Sequence, residues 1–363
     1  MLVRVSAQQI LDQFPQLLKL FKGTPEASAT QPSSIDNIQP ESLVFVPPSP
    51  ESLEKALQSQ AQILVVPSSL TQKKELFSNH TPPCILTTPN SYLAMALVNH
   101  HFFPIEPLRR TPADEPLIHP SAHIHPSATI GKGVSIRAGA TVGPNVIIEN
   151  HCIIGENAVI DSGAYIGHDT HIHPLVFVAH HVRIGAHCEV HPHSTLGTEG
   201  YGYAQDSQRN SFRIPHYGTL IIEDHVHIGA GVHIDRGTFE NSRIGAGTKI
   251  DNHCHIGHNN QIGKNCLITA GFISAGSAKI GNHCIFGGRC SVNGHISITD
   301  NCIFAPLSAI TNNITKPGKY GGYPVIDFNE HRKSLVLVNH LPQMKKTLNK
   351  IKSWIAKKEG ERL

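Results

Sequence analysis

Residues 117–164 read as eight consecutive six-residue units: LIHPSA, HIHPSA, TIGKGV, SIRAGA, TVGPNV, IIENHC, IIGENA and VIDSGA. The second residue of each unit is Ile or Val, and aliphatic residues hold that place as far as Leu196. A second array runs from Ile222 to Ile310 with aliphatic or aromatic residues there, and Ser274 is its exception. A strict hexad is typical of a parallel β-helix, in which three hexads form one triangular coil. The sequence therefore predicts a mainly β fold, a left-handed parallel β-helix.

Seven cysteines share one place in the repeat, four residues after an inward-pointing position. Other hexads fill this slot with Ala, Val, Thr or Ser, so we interpret it as a tight interior site that suits a free thiol. We expect inert structural thiols rather than metal ligands or disulfides. Together with the lack of an export signal at the N-terminus, they predict a cytoplasmic protein. The seven are Cys152, Cys188, Cys254, Cys266, Cys284, Cys290 and Cys302.

The bulk composition argues against two classes of partner. The 30 Lys and Arg side chains nearly balance the 27 Asp and Glu side chains, so no global charge predicts a nucleic-acid partner. No segment reaches the roughly 18 unbroken apolar residues of a transmembrane helix. We therefore expect no nucleic acid and no transmembrane segment.

Two insertions interrupt the hexads. One lies between Leu196 and Ile222 and is rich in glycine and aromatic residues; the other lies between Ile234 and Ile244. Loops that leave a rigid solenoid are where such proteins build binding and catalytic sites. We expect these two loops to form a wall of the functional site.

Two flanking segments lack the hexad, so we divide the chain into residues 1–110, 111–315 and 316–363. The first contains a predicted helix capped by Ser6, strands SLVFV, QILVVP and CILTTP, and a helix NSYLAMALVNHHF. It has no GxGxxG or P-loop motif, which argues against a nucleotidyltransferase or a kinase.

The third segment predicts a helix with one apolar stripe. Its lysines form either a solvated face or a docking face for an acidic partner. The stripe is Leu341, Met344, Leu348, Ile351 and Ile355, and the lysines are Lys345, Lys346, Lys350, Lys352, Lys357 and Lys358.

The histidines His258 and His295 stand out among many that we place at solvated corners of the coils. Ile256 and Val292 are 36 residues apart, which is two full coils, so both histidines should lie on one face. At roughly 4.8 Å per coil they are about 10 Å apart along the axis, which leaves room for a substrate.

Several motifs together resemble the UDP-3-O-acylglucosamine N-acyltransferase family of lipid A synthesis. They are IDRGTFENSRIGAGTKIDNHCHIGHNNQIG (234–263), AGSAKIG (275–281), SVNGHISI (291–298), EGYGYA (199–204) and FRIPHYG (212–218). The three-part layout is also similar to that family. The resemblance implies a homotrimer that moves an (R)-3-hydroxyacyl group from acyl carrier protein to the glucosamine amine of a UDP-sugar lipid. It implies no metal and no cofactor beyond the phosphopantetheine of the carrier protein.

The resemblance also assigns catalytic residues. His258 matches the general base, a role for which neutral His is suited near pH 7. Gly276 matches the backbone donor to the oxyanion, and His295 matches a second active-site histidine.

The remaining candidates bind the substrate. Asp251 and Asn252 are expected to orient the base or hold the sugar, and His255, in place of the family's usual Gln, and Asn293 are further candidates. Phe45 matches the Phe that stacks on uracil in the uridine-nucleotide-binding N-terminal domain. Glu51 stands where the family has a Tyr as the second stacking residue.

Three alternatives remain open at this point. One is an acyltransferase that uses acetyl-CoA on a sugar nucleotide. Another is a zinc enzyme similar to γ-carbonic anhydrase, because His253 and His258 have a suitable spacing. A solenoid with a purely structural or binding role would leave the insertions and the paired histidines without a purpose.

Overall fold

The computed structural model describes residues 4–72, 74–77, 82–104, 117–321 and 328–360. Within these ranges, the side chains of residues 74, 75, 328–332, 334, 335 and 357–360 are not described. The chain divides into two compact units, Met1–Arg110 and Thr111–Leu363.

The first unit is an α/β domain. Its elements are β1 (Val5–Ser6), α1 (Ala7–Gln13), β2 (Lys19–Gly23), β3 (Ser28–Ala29), β4 (Gln31–Ser33), β5 (Ser42–Phe45), α2 (Pro50–Leu57), β6 (Ile63–Pro67), β7 (Cys84–Thr88) and α3 (Ser91–Phe102). Five of the strands form a sheet of order β2-β7-β6-β5-β4, in which β2 is antiparallel to β7 and the other pairs are parallel. Two short 3₁₀ segments, Ser68–Leu70 and Lys74–Phe77, follow β6.

The predicted elements of this unit are confirmed, with one difference in length. The Ser6 side chain caps α1 and forms a capping box with Gln9. The helix ends at Gln13, two residues before Pro15, although the predicted segment ran further, because a residue that precedes proline is disfavoured in the helical region. The Asn90 side chain accepts a hydrogen bond from the Leu93 N–H at 3.0 Å and so starts α3.

The second unit consists of short strands joined by corners, followed by one helix. The strands are β8 (His123–Ile124), β9 (Thr129–Ile130), β10 (Ser135–Ile136), β11 (Thr141–Val142), β12 (Ile147–Ile148), β13 (Ile153–Ile154), β14 (Val159–Ile160), β15 (Tyr165–Ile166), β16 (His171–Ile172), β17 (Phe177–Val178), β18 (Arg183–Ile184), β19 (Glu189–Val190), β20 (Thr195–Thr198), β21 (Tyr203–Gln205), β22 (Ser211–Arg213), β23 (Leu220–Ile222), β24 (His227–Ile228), β25 (His233–Asp235), β26 (Ser242–Ile244), β27 (Lys249–Ile250), β28 (His255–Ile256), β29 (Gln261–Ile262), β30 (Leu267–Ile268), β31 (Ile273–Ser274), β32 (Lys279–Ile280), β33 (Ile285–Phe286), β34 (Ser291–Val292), β35 (Ser297–Ile298), β36 (Cys302–Phe304), β37 (Ala309–Ile310) and β38 (Gly318–Tyr320).

Apart from β21 and β22, these strands form the three parallel sheets of the predicted β-helix. The first sheet runs from β10 to β38, the second from β8 to β37 and the third from β9 to β35, and each strand pairs with the strand one coil away. Ile256 on β28, for example, pairs with Ser274 on β31, which pairs with Val292 on β34. Because β38 pairs with β36, the first sheet continues past residue 315.

The interior of the solenoid is one continuous aliphatic core. The inward positions from Ile136 onward are buried, whereas Ile118 at the open first coil is 44% exposed. Toward the other end aromatic rings stack from coil to coil: Phe286 on Phe304 at 4.9 Å between centroids, and Phe304 on Tyr320 at 5.5 Å. The hexad rule therefore identified the core correctly.

Many histidines occupy corners, as the sequence predicts, and the backbone explains why. Among non-glycine residues the left-handed region is tolerated best by Asn, Asp and His, so a corner with positive φ selects for them. Gly takes the same corner place in other coils, for example Gly231 with a φ of 63°. The histidines with positive φ are His151, His181, His187, His193, His225, His253, His283 and His295.

The seven cysteines of the hexad array are buried free thiols, which confirms their interior slot. The Cys266 Sγ donates to the Gly281 carbonyl at 3.2 Å, and the Cys254 Sγ donates to the Thr269 carbonyl at 3.6 Å. Burial raises the pKa of the Cys254 thiol to about 11, which keeps it protonated and unreactive.

The C-terminal segment forms helix α4 (Phe328–Gly360), which confirms the predicted tail helix. Its apolar stripe is exposed in the single chain: Leu341 is 54% exposed and Leu348 is 56% exposed. None of the helices of the described residues is long and apolar enough to cross a membrane.

We predict that Cys254→Ala and Cys266→Ala each fold normally, because alanine fits the same slot in other coils. Each should cost about 1 kcal/mol in the free energy of unfolding. Ile262→Ala, which opens a cavity in the neighbouring inward position, should cost about 2–5 kcal/mol. Urea unfolding of the three variants measures these differences. A loss from either cysteine variant as large as that from Ile262→Ala would contradict this interpretation of the slot.

Candidate functional site

Both insertions leave the solenoid where the sequence predicts. Residues 199–219 separate β20 from β23 and contain the antiparallel hairpin of β21 and β22. Residues 236–241 separate β25 from β26. The second loop is fixed to the corner after β28, because the Asn259 side-chain oxygen accepts from the Thr238 N–H at 2.6 Å.

The imidazole of His258 lies between two glycines, one from the first insertion and one from the next coil. A Cβ atom on Gly200 would lie 2.6 Å from the His258 Cβ, and a Cβ on Gly276 would lie 2.6 Å from its Nε2. At such distances a side chain at either position would have to displace the His258 ring. The two glycines therefore form a narrow slot that fixes the ring and brings the Gly276 backbone against it.

The Gly276 backbone has a free donor beside this ring. Its carbonyl accepts from the His295 N–H at 3.2 Å, and the next residue, Ser277, donates to the His258 carbonyl at 2.8 Å. Among the described residues, no hydrogen bond uses the Gly276 N–H itself. This is the arrangement that an oxyanion donor requires.

A second histidine, His216 of the first insertion, packs edge-on against His258 with 5.1 Å between ring centroids. His216 is 5% exposed, and its Nδ1 pairs with the Ile214 carbonyl at 3.0 Å. The buried Nδ1 of His258 and Nε2 of His216 have no hydrogen-bond partner within the part of the chain that the structure describes.

The surroundings of His258 favour its neutral form. Burial lowers the pKa of the imidazole, and the nearby imidazoles of His216 and His295 lower it further, while the Tyr201 backbone opposes them. A histidine that is neutral at physiological pH is able to accept a proton.

An internal polar pair supports the corner that carries His258, and it accounts for the one exception to the hexad rule. The buried Ser274 hydroxyl donates to the Asn260 side-chain oxygen at 2.8 Å. The Asn260 amide in turn donates to the carbonyls of Gly257 at 2.6 Å and Ala275 at 2.8 Å. Ser274 therefore serves to fix the corner of His258 rather than to fill the core.

A buried carboxylate lies on the same face. Asp235 is 7% exposed; its Oδ1 lies 3.4 Å from the Thr198 hydroxyl and its Oδ2 lies 3.9 Å from the His255 Nε2. Burial raises the pKa of Asp235 to about 6, against the opposing effects of Thr198 and His216. Burial also lowers the pKa of His255.

The adjacent Arg236 anchors the start of the first insertion. Its buried guanidinium donates to the Gly197 carbonyl at 2.7 Å and to the His180 carbonyl at 2.7 Å. Sequence reasoning missed His216, Asp235 and Arg236 as site residues. The signal was present, since His216 and the Asp235–Arg236 pair lie in two of the motifs quoted above.

The structure brings some of the predicted residues together and separates others. His258 and His295 lie two coils apart on one face, as predicted from Ile256 and Val292. Asp251 and Asn252 lie at the preceding corner, where the carboxylate accepts from the Ala270 N–H at 3.1 Å and the Asn252 oxygen accepts from the Ala230 N–H at 2.7 Å. These hydrogen bonds connect neighbouring coils and do not involve the His258 side chain.

Two other candidates have contacts within their own elements. The exposed Asn293 accepts from the Gly294 N–H at 3.0 Å, which shapes the corner before His295. Phe45 is half-buried on β5 of the first unit, where it packs against the domain core.

The insertions expose large aromatic side chains beside His258. Tyr217 and Phe239, one from each loop, stack with 6.1 Å between centroids, and they are 74% and 76% exposed. Tyr201 is 85% exposed. Two surface clefts lie elsewhere on the solenoid, one at residues 129–169 and one at residues 165–264, and His258 lines neither. In a single chain these loop side chains beside His258 are thus exposed to solvent.

Comparison with known proteins places this geometry in a family. Residues 128–162 and 163–198 match the family described as bacterial transferase hexapeptide (six repeats), and residues 278–305 match hexapeptide repeat of succinyl-transferase. A UDP-3-O-acylglucosamine N-acyltransferase from Methylococcus capsulatus is 36% identical over 356 residues, 98% of this chain and 98% of that protein.

Two further proteins are similar over part of the chain. UDP-3-O-acylglucosamine N-acyltransferase 1 from Gloeobacter violaceus is 44% identical over 182 residues, 50% of this chain and 52% of that protein. The solved structure of a UDP-N-acetylglucosamine acyltransferase from Campylobacter jejuni is 24% identical with a TM-score of 0.41, and it covers 54% of this chain and 68% of that chain.

The raised pKa of Asp235 predicts a pH-dependent stability. Between the ordinary Asp pKa near 4 and the folded-state value of about 6, the folded chain holds a proton that the unfolded chain has lost. Stability should therefore fall as pH rises through this window, by about 3 kcal/mol per chain.

Urea unfolding from pH 4 to pH 8 measures this effect as the difference between wild type and Asp235→Asn, which cannot titrate. Asp251→Asn, at an exposed corner, is the matched control and should follow wild type. If the pH dependence of Asp235→Asn is the same as that of wild type, ionisation of the Asp235 carboxyl does not cause the predicted loss of unfolding free energy.

Proposed function

Because the chain belongs to the UDP-3-O-acylglucosamine N-acyltransferase family and is an acyltransferase, we propose that it acylates the 2-amine of UDP-3-O-acylglucosamine in lipid A synthesis. The acyl group is an (R)-3-hydroxyacyl chain carried by acyl carrier protein. The observation that carries the proposal is the imidazole of His258, held in the slot between Gly200 and Gly276 beside the Gly276 backbone.

In the proposed reaction His258 acts as the general base. The imidazole takes a proton from the sugar amine as the amine nitrogen forms a bond to the thioester carbon. The tetrahedral intermediate carries its negative charge on the former carbonyl oxygen, which the free Gly276 N–H stabilises. Collapse of the intermediate breaks the carbon–sulfur bond, and the His258 imidazolium returns the proton to the departing thiolate.

The neighbouring groups adjust this base without taking part in bond making. Burial, and after it the His216 and His295 imidazoles, lowers the pKa of His258, so the ring is free to accept a proton near neutral pH. Asp235, near His216 and 3.9 Å from His255, lies where it can balance positive charge that develops on this face. His255 and Asn293 are proposed to contact the sugar nucleotide, and Phe45 to stack on uracil.

We further propose that the enzyme is a homotrimer. In a single chain the loop side chains beside His258, namely Tyr201, Tyr217 and Phe239, are exposed to solvent. The apolar stripe of α4 is exposed as well, from Leu341 to Ile355. Exposed apolar surface of this extent is characteristic of protein interfaces, and copies of the chain would cover both surfaces.

The alternatives have weaker support. A zinc enzyme of the γ-carbonic-anhydrase type would place a metal at His253 and His258. Because its third histidine would come from a neighbouring chain, metal analysis of the purified protein decides this alternative, and stoichiometric zinc that is lost in His258→Ala would favour it. An acetyl-CoA-dependent acyltransferase would use the same base, and a donor assay with carrier protein against CoA distinguishes it.

The decisive experiment is mass spectrometry of the product formed from UDP-3-O-acylglucosamine with a panel of 3-hydroxyacyl carrier proteins. We expect the mass of one 3-hydroxyacyl group to be added, at nitrogen. Transfer from acetyl-CoA but not from any carrier protein would overturn the proposal.

His258→Ala should lower kcat by at least about 100-fold while the protein stays folded, because general-base catalysis contributes about that much. Cys254→Ala, a buried change at the preceding corner, is the matched control and should keep wild-type activity. In wild type, kcat/KM should fall at acid pH only below the ordinary His pKa of about 6.5, because the folded-state pKa is lowered. Near-normal turnover by His258→Ala would exclude it as the base.

The lysines of α4 predict where the acidic carrier protein docks. Lys345, Lys346 and Lys350 are exposed, whereas the side chains of Lys357 and Lys358 lie outside the described residues. Reversing these three to Glu should raise the KM for acyl carrier protein about tenfold and change its salt dependence, because rim charges act mainly on encounter. Turnover of a short acyl-pantetheine should be little changed.

The matched control reverses three exposed lysines of the solenoid, Lys132, Lys264 and Lys279. If this control raises the KM and the tail variant does not, the carrier protein docks on the solenoid, and the lysines of α4 serve only as a solvated face.

A further inference from the structure

A cluster of imidazole and carboxylate groups lies on the outer face of the first sheet, away from the sheet that carries His258. It is formed by the neighbouring strands β16 and β19, in which His171 pairs with Glu189 and Ile172 pairs with Val190. Ile172 and Val190 point into the core, so His171 and Glu189 point outward. His173 and His191 follow at the corners.

The four side chains are already in contact. The Nε2 of His173 lies 2.9 Å from the Glu189 Oε1, and the Nε2 of His191 lies 3.4 Å from the same oxygen. The ring of His173 stacks on His171 at 3.9 Å and on His191 at 4.4 Å between centroids. One ligand atom each from His171, His173 and Glu189 lie within 4.8 Å of one another.

The cluster is also partly shielded from water. The side chains of His173 and Glu189 are 18% and 17% exposed. Strands on a rigid solenoid hold them, so the rearrangement needed to bind an ion is limited to side-chain rotation. Such preorganisation favours a bound ligand.

We propose that His171, His173 and Glu189, with His191 beside them, bind a divalent transition-metal ion, for which Zn²⁺ is the reference. Two imidazoles and one carboxylate match the nitrogen and oxygen ligands of zinc, at about 2.0–2.2 Å from the ion. The three ligand atoms need to move closer only by rotations of their side chains. Mg²⁺ and Ca²⁺ prefer all-oxygen ligands and fit this set poorly.

The location predicts a structural effect. The ion links the coil of β16 to the coil of β19, and the second of these continues into β20, from which the first insertion leaves. An ion that binds only the folded chain stabilises it by mass action. It should therefore strengthen the coil that positions Gly200 without entering the reaction at His258.

A second group of possible ligands provides an internal comparison. His168, Asp169 and His187 also bring ligand atoms within 4.8 Å of one another, but all three residues are exposed. Water competes more strongly for an ion at such a position. A variant at His187 therefore tests whether binding belongs to the shielded cluster or to the exposed one.

The test is an isothermal calorimetric titration of the metal-free, untagged full chain with Zn²⁺ and with Mg²⁺. Thermal unfolding with and without each ion then measures the change in the unfolding midpoint. We compare wild type, Glu189→Gln, which keeps the shape of the side chain, and His187→Gln as the control. We expect wild type and His187→Gln to bind one Zn²⁺ per chain at the shielded cluster and to gain a higher unfolding midpoint. Glu189→Gln should bind this ion more than about tenfold more weakly, and Mg²⁺ should bind none of the three comparably.

The outcomes separate clearly. Unchanged Zn²⁺ stoichiometry and affinity in Glu189→Gln, or no binding by wild type, would overturn the proposal. Loss of all binding in His187→Gln would assign the ion to the exposed group and overturn it as well. Circular dichroism in the presence of a chelator checks that Glu189→Gln is folded, and if it is not, His173→Gln replaces it in the same comparison.

Discussion

Each coil of the solenoid is hydrogen-bonded to the coils on both sides, so it cannot gain residues without breaking that ladder. Around the site, the Gly257 N–H donates to the Ser274 carbonyl at 2.9 Å, and the Ala275 N–H donates to Val292 at 2.9 Å. Extra residues must therefore leave the coil as loops. Because of this constraint both insertions leave the solenoid as loops. Hydrogen bonds of Arg236 and Asn259 fix the points where these loops leave the coils near His258.

Small buried hydroxyls such as Thr170 and Thr248 occur along the solenoid. Beside the two loops the buried polar groups are larger, namely Asp235, Arg236 and Asn260. Buried polar groups cost free energy unless they are hydrogen-bonded, and Asn260 and Arg236 satisfy theirs through backbone carbonyls. Burying these polar groups costs free energy, but their hydrogen bonds fix the corner that carries the partly buried His258. A fixed position and shielding from water both favour a general base.

The sequence was sufficient to predict the repeat, the core and the two loops, because one residue in six reports directly on the interior. It also predicted that His258 and His295 share a face, since two coils return the chain to the same side. It placed Asp251 one corner before His258, which is where the structure has it, but whether this carboxylate orients the base or holds the sugar stays a prediction. His216 could not be placed, because its contact with His258 depends on the path of a loop that has no period.

The two ends of the solenoid differ in how well their last inward side chains are covered, and this difference determines which coils should unfold first. In a stack of repeats that contact only their neighbours, opening starts at a terminus and moves inward coil by coil. The first coil has a half-exposed Ile118, whereas at the other end Tyr320 lies over the ring of Phe304 as a lid. Considered as a solenoid by itself, the second unit should therefore open first at the coil of Ile118, and the coils that carry His258 should stay paired while that end opens.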